Sequence, residues 1–185
     1  MTPAPDSSMP SNTQSIQTDV VICGSGSAGI CAAIWLAQAG IDFHMLEQRS
    51  GPLTVGQADG VQCRTVEIFD SLGIAEELLR EAYHVNELTF WSMDKDLGRI
   101  KRTSRAPDTP AGISHQPHVI LNQARINGLL LGKMHSFAPN QQIDYGHTVT
   151  DVIPGTNAAS VEVHTIHDGQ EKIFKAKYVI VSHSS

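Results

Sequence analysis

The stretch 19-DVVICGSGSAGICAAIWLAQAGIDFHMLE-47 decides the fold. Asp19–Cys23 is a short, β-branched apolar run, as suits a strand covered on both faces. Gly24-Ser-Gly-Ser-Ala-Gly29 then leads into Ile30–Ala39, which is apolar almost all round except at Gln38. That composition predicts a helix buried against a sheet and stopped by Gly40. Asp42–Glu47 predicts a second strand with an acid at its end.

Strand, glycine turn, helix, strand and acid together form a dinucleotide-binding pattern. Each residue type has a physical task. Gly24 permits the tight turn, Gly26 lets backbone approach a diphosphate, and Gly29 allows close helix–strand packing. The diphosphate would rest at the helix N-terminus, where free N–H groups and the helix dipole favour negative charge. Glu47, at the end of the second strand, suits the adenosine ribose hydroxyls. The competing explanation is a glycine turn with no ligand.

A nicotinamide-type domain would continue directly with another helix and parallel strand. Here a loop over Arg49–Gly60 precedes two amphipathic segments, Cys63–Leu72 and Ile74–Ala82, and a strand over Glu87–Met93. Arg99–Pro117 reads as a loop rich in Pro, Ser and Thr. Asn122 suits the N-cap of a helix over Gln123–Met134. Thr148–Ile153, Ser160–His167 and Lys172–Val181 read as strands, the last two joined through Asp168-Gly169 as a hairpin. Tyr178–Val181 is the candidate for the next buried parallel strand. The expected fold is therefore α/β: a Rossmann-like βαβ with a parallel sheet, a long insertion and a small antiparallel β-meander.

Composition narrows the partners. The 185 residues, 41% hydrophobic and 17% charged, describe one globular domain. A net charge of -6 argues against nucleic acid or an anionic membrane as main partner. The cluster Arg99, Lys101, Arg102, Arg105 reads as a solvated loop. Cys23, Cys31 and Cys63 cannot form a closed set of disulfides, which fits a reducing, cytoplasmic setting. The HxxH pairs His115/His118 and His164/His167 are weak metal signals, and no metal is expected. Residues 1–17 read as a flexible lead without signal-peptide character, and 18–185 as the folded domain.

With GSGSAG and Glu47 in place, GQADGVQCRTVEIFDSLGI (56–74) and LNQARI (121–126) complete a resemblance to FAD-dependent aromatic-ring monooxygenases, specifically the phenol 2-monooxygenase group. The resemblance implies FAD as cofactor, NADPH as reductant, and O2 and a small phenolic compound as substrates. It places Gly24, Gly26, Ser27, Ala28 and Gly29 at the FAD diphosphate. Glu47, with Gln48 and Arg49 beside it, falls at the adenosine ribose. Arg64 would reach the diphosphate as a cationic fork, Gln123 would contact the ribityl side of the flavin with Arg125 as its neighbour, and Gln57 would be a further cofactor-binding residue. Asp59 would be the catalytic base near the substrate hydroxyl, its alternative being an Asx-type brace of its own loop. Members of this family are longer and continue past the last strand into a G-x-D-G segment whose aspartate aligns near His183, so the resemblance implies a C-terminally truncated FAD-binding domain. Alternatives are a non-catalytic FAD-binding remnant, a subunit needing a second chain, and an NAD(P)-dependent oxidoreductase; a homo-oligomer or a second chain is an expected partner.

Overall fold

A computed structural model describes residues 15–56, 58–155 and 160–182. The expectations for Gln57 and His183 lie outside the described residues. Ser15–Gln17 form β1, Val20–Cys23 β2, Ser27–Gln38 α1 and Phe43–Glu47 β3. β2 and β3 run parallel, Val20 opposite Phe43 and Cys23 opposite Leu46, so the strand–helix–strand unit is present. Every residue of β2 is buried, as a β-branched run covered on both faces requires. α1 is less enclosed than its composition predicts. Gly29, Ile30, Ala33 and Ile34 form its buried face, while Trp35 is 49% exposed.

The described chain divides into two compact units. One takes in the chain up to Ser25, Trp35–Gly51 and the chain from Gln142; the other comprises Gly26–Ile34 and Pro52–Gln141.

In the second unit, β4 (Gly60–Val61), β5 (Tyr83–Val85) and β8 (His118–Ile120) make a small antiparallel sheet in the order β4-β8-β5. Between them in sequence lie α2 (Cys63–Ser71), α3 (Ala75–Glu81), β6 (Glu87–Asp94) and β7 (Arg99–Pro107); α4 (Gln123–Phe137) follows. α2 buries Val66 and Phe69, and α4 buries Ile126, Leu129, Leu130 and Met134. Asn122 caps α4 as expected, its Oδ1 accepting from the Ala124 N–H at 2.9 Å. One expectation is overturned. Arg99–Pro107 is not a loop but a strand paired antiparallel with β6. Cross-strand ion pairs hold it, Lys101 to Asp94 at 3.0 Å and Arg105 to Glu87. An exposed two-stranded ribbon needs no apolar alternation, so the pattern hid it.

In the first unit, β13 (Tyr178–Val181), β2, β3 and β9 (Ile143–Tyr145) form a parallel sheet in that order. β10 (Thr148–Pro154), β11 (Val161–His167) and β12 (Gln170–Ala176) form the meander, extended by β1 beside β12. The expected flexible lead is therefore corrected at its end, because Ser15–Gln17 pair in parallel with Ile173–Lys175. Lys172–Val181 is also corrected, from one strand to two. The backbone N–H groups of Lys177 and Tyr178 both donate to the Asp19 carbonyl, and there the chain leaves the meander for the parallel sheet. β13 is parallel as expected but an edge, with Tyr178 69% and Val181 66% exposed. Asp168 and Gly169 close the β11–β12 hairpin with positive φ of 50° and 74°, as a two-residue turn demands.

Val21, Cys23 and Leu46 of the parallel sheet pack with Val163, Phe174 and Ala176 of the meander. Three free cysteines are present, and burial pushes the Cys23 thiol up to about 11, so it behaves as a small apolar group. Histidines rim this core. His147 is buried and stacks on His167, ring centroids 4.3 Å apart, with its edge toward Phe174. Burial, then the neighbouring His167 and Lys172, lower the His147 pKa. The hydrogen bond between His44 and Asp144, 2.8 Å long, raises the His44 pKa. The signs oppose: His44 stabilises below the ordinary histidine range and loses that effect as pH rises, whereas His147 costs stability as pH falls through that range. Replacing His147 by Phe is expected to shrink the loss of stability between pH 7 and pH 5, read from urea midpoints at the two pH values; an unchanged loss refutes the assignment.

Candidate functional site

The candidate residues fall in both units, and each set is organised locally. In the first unit, Gly24 adopts φ +105°, open to glycine and strained for other residues. Its N–H donates to the Leu46 carbonyl at 2.8 Å, which ties the turn to the end of β3. Ser182, just past β13, closes the other side. Its hydroxyl lies 3.0 and 2.9 Å from the Cys23 and Gly24 carbonyl oxygens, which share its one hydrogen.

Glu47 is buried and its carboxylate organises the turn. Oε2 accepts from the Ser25 N–H and hydroxyl, both at 2.8 Å, and from Arg49 Nη2 at 2.9 Å. Oε1 accepts from the Arg49 N–H at 2.9 Å. Arg49 Nη2 also reaches the Ser25 hydroxyl at 3.1 Å. Burial pushes the Glu47 carboxyl up, but the bonds from Arg49 and Ser25 outweigh it and hold the pKa at about 2. A carboxylate oxygen has room for more than one donor, so Oε1 retains capacity for a ligand hydroxyl. Gln48 is exposed beside it.

In the second unit, a crevice of about 170 Å³ is lined by Ser27, Ala58, Gly60, Thr65 and Gln123, with Val61 and Phe69 on its apolar side. Three stretches singled out in the sequence therefore meet at one place: the start of α1, the 58–65 segment and the start of α4. At this volume it would hold part of a dinucleotide rather than the whole. Open space faces Gly26, where an added Cβ would meet nothing within 4 Å. At Gly56 the reverse holds. A Cβ there would lie 2.6 Å from the Gln123 Cβ and 2.8 Å from its backbone N, so only glycine lets the loop press against the start of α4.

The remaining residues are distributed as follows. Asp59 is exposed, its carbonyl accepts from the Leu121 N–H at 2.9 Å, and no hydrogen bond to its carboxylate is present among the described residues. The Asx brace is therefore not observed. Arg64, its side chain 80% exposed, donates to Glu67 on its own helix at 2.7 Å. Arg125 is committed elsewhere, donating to Glu77 and Glu81 of α3. His118 pairs with Asp108, while His164 pairs with Glu171. Among the described residues no group of three metal-ligating side chains occurs, and no helix is long and apolar enough to cross a membrane. A larger apolar groove beside β13, lined by Val20, Leu36, Ile41 and Tyr178, contains none of the candidate residues. Sequence reasoning missed Ser182 and the buried Asn127, whose Oδ1 accepts from the Ser27 hydroxyl at 2.6 Å.

Two outcomes follow from this geometry. Glu47→Gln should lower unfolding stability at pH 7 by about 1–3 kcal/mol through the loss of charged hydrogen bonds. That contribution is present above the ordinary carboxylate range and is lost as pH falls toward about 2. The gap to the parent should thus narrow between pH 4 and pH 2.5 in urea titrations; a constant gap contradicts it. Gly56→Ala should cost about 1–3 kcal/mol by overpacking against Gln123, and an unchanged melting temperature would show that the contact yields freely.

A family model described as FAD binding domain matches residues 17–182. The chain is 51% identical over 173 residues to the FAD-dependent monooxygenase terD of Aspergillus terreus, covering 89% of this chain and 28% of that protein. It is 39% identical over 182 residues to the 3-hydroxybenzoate 4-monooxygenase of Comamonas testosteroni, covering 92% and 28%. The solved structure of p-nitrophenol 4-monooxygenase PnpA from Pseudomonas putida superposes with a TM-score of 0.78 at 19% identity, over 92% of this chain and 42% of that one. That last likeness speaks for the fold alone. The chain spans less than a third of the length of the two curated relatives. The glycine turn by itself left flavin and nicotinamide domains open, and the match over 17–182 decides between them: the chain belongs to the FAD binding domain family carried by FAD-dependent monooxygenases.

Proposed function

We propose that this chain is the FAD-binding part of a monooxygenase that hydroxylates a phenolic ring using NADPH and O2. The observation that supports it is the convergence of Ser27, the Ala58–Gly60 loop, Thr65 and Gln123 on one crevice within a chain of this family. When bound, FAD reduced by NADPH supplies O2 activation and transfer of one oxygen atom to the ring.

The chain's own residues take defined roles in this reading. N–H groups at the start of α1 hold the diphosphate, where the helix dipole favours its charge. Glu47, kept ionised, accepts from the adenosine ribose, with Gln48 and Arg49 beside it. Arg64, exposed and bound only to Glu67 among the described residues, turns its guanidinium to the diphosphate. Gln123 contacts the ribityl side. Asp59, whose carboxylate has no hydrogen bond among the described residues, accepts the proton of the substrate hydroxyl, because a phenolate ring is more electron-rich than a phenol and reacts faster.

A second reading has a specific support: the chain covers only 28% of its curated relatives. In it, this chain binds FAD but turns over substrate only with further polypeptide, which excludes water from the site. Purified protein should be yellow, with a flavin visible spectrum. Asp59→Asn should keep FAD affinity within about twofold while hydroxylation of phenol, followed as catechol formation and oxygen uptake, falls at least about tenfold, at the low end for loss of a general base. Flavin binding without turnover in the parent selects the second reading; equal turnover of Asp59→Asn removes Asp59 as the base.

A further inference from the structure

Asn127 is 3% exposed and sits on α4 among buried Ile126, Leu129 and Leu130. A leucine would satisfy that packing, whereas a buried amide costs free energy unless it is bonded. Its Oδ1 accepts from the Ser27 hydroxyl at 2.6 Å, one hundred residues away in sequence.

Ser27 is the first residue of α1. A serine hydroxyl carries one hydrogen, and here it is given to Asn127, so the hydroxyl has none left for a phosphate oxygen. The first backbone bond of α1 runs from the Ile30 N–H to the Gly26 carbonyl at 3.0 Å. The N–H groups of Ser27, Ala28 and Gly29 thus precede the helical ladder and lack an acceptor within it. Open space adjoins them at Gly26, and Ser27 lines the crevice.

We propose that Asn127 is a positioning residue: by binding the Ser27 hydroxyl it fixes the first turn of α1 so that backbone N–H groups, not the serine side chain, face the FAD diphosphate. This rests on the FAD-binding reading above.

The test uses the 185-residue chain and FAD itself, with dissociation constants from quenching of flavin fluorescence and unfolding temperatures of the FAD-free protein. Ser27→Ala and Asn127→Leu are each expected to weaken FAD about tenfold, the size of one lost backbone N–H bond to the diphosphate. The double variant should be no weaker than either single, because both remove the same bond. The FAD-free melting temperature of Asn127→Leu should stay near the parent's, since leucine suits its surroundings. Either single variant binding as tightly as the parent overturns the proposal, as do losses that multiply in the double. If Asn127→Leu does not fold, Ser27→Ala decides alone, and tight binding by it is fatal. A parent that binds no FAD overturns the underlying reading instead, so the two failures are distinguishable.

Discussion

The Glu47 carboxylate is the constraint on which the candidate residues of the first unit depend. It closes the second strand of the βαβ unit and gathers four donors from Ser25 and Arg49. A glycine turn is permissive by nature, because a backbone without Cβ has many conformations to choose from. The turn between β2 and α1 takes one of them because a buried, ionised group holds the Ser25 N–H at its centre. The acid thus has a structural task independent of any ribose, which accounts for a carboxylate that stays charged in a buried place.

The second unit uses different means for a similar end. Gly56 brings a loop into backbone contact with the start of α4, and Asn127 ties the start of α1 to the same helix. Both devices act on helix N-termini, where unpaired N–H groups collect and where an anionic ligand is favoured. The apolar residues of α2 and α4 supply the burial that makes these polar contacts worth having.

Much of this was legible in the chain. β2, α1 and β3 follow from composition and period, α4 from its Asn122 cap, and the β11–β12 hairpin from Asp168-Gly169. The parts that were not legible share a physical cause. β7 is exposed along its whole length, so no burial pattern marks it, and its partners lie across a turn rather than within it. β13 looks like a buried strand because it is apolar, yet an edge position leaves Tyr178 and Val181 open. Arg125 lies in a motif that points to the flavin but is held by Glu77 and Glu81 on a neighbouring helix. Asn127 carried no signal, since one polar residue in an amphipathic helix is unremarkable until its burial is known.

The residues alone determined the strand–glycine turn–helix–strand–acid order, because each of those steps is enforced by local physics: backbone freedom, hydrophobic period and capping. Tertiary structure alone decided which polar side chains spend their hydrogen bonds on the protein itself. Ser25, Ser27, Arg49, Arg125 and Ser182 all carry groups able to hold a ligand. Whether such a group is committed elsewhere depends on what folding places within about 3 Å of it, and sequence spacing does not encode that distance.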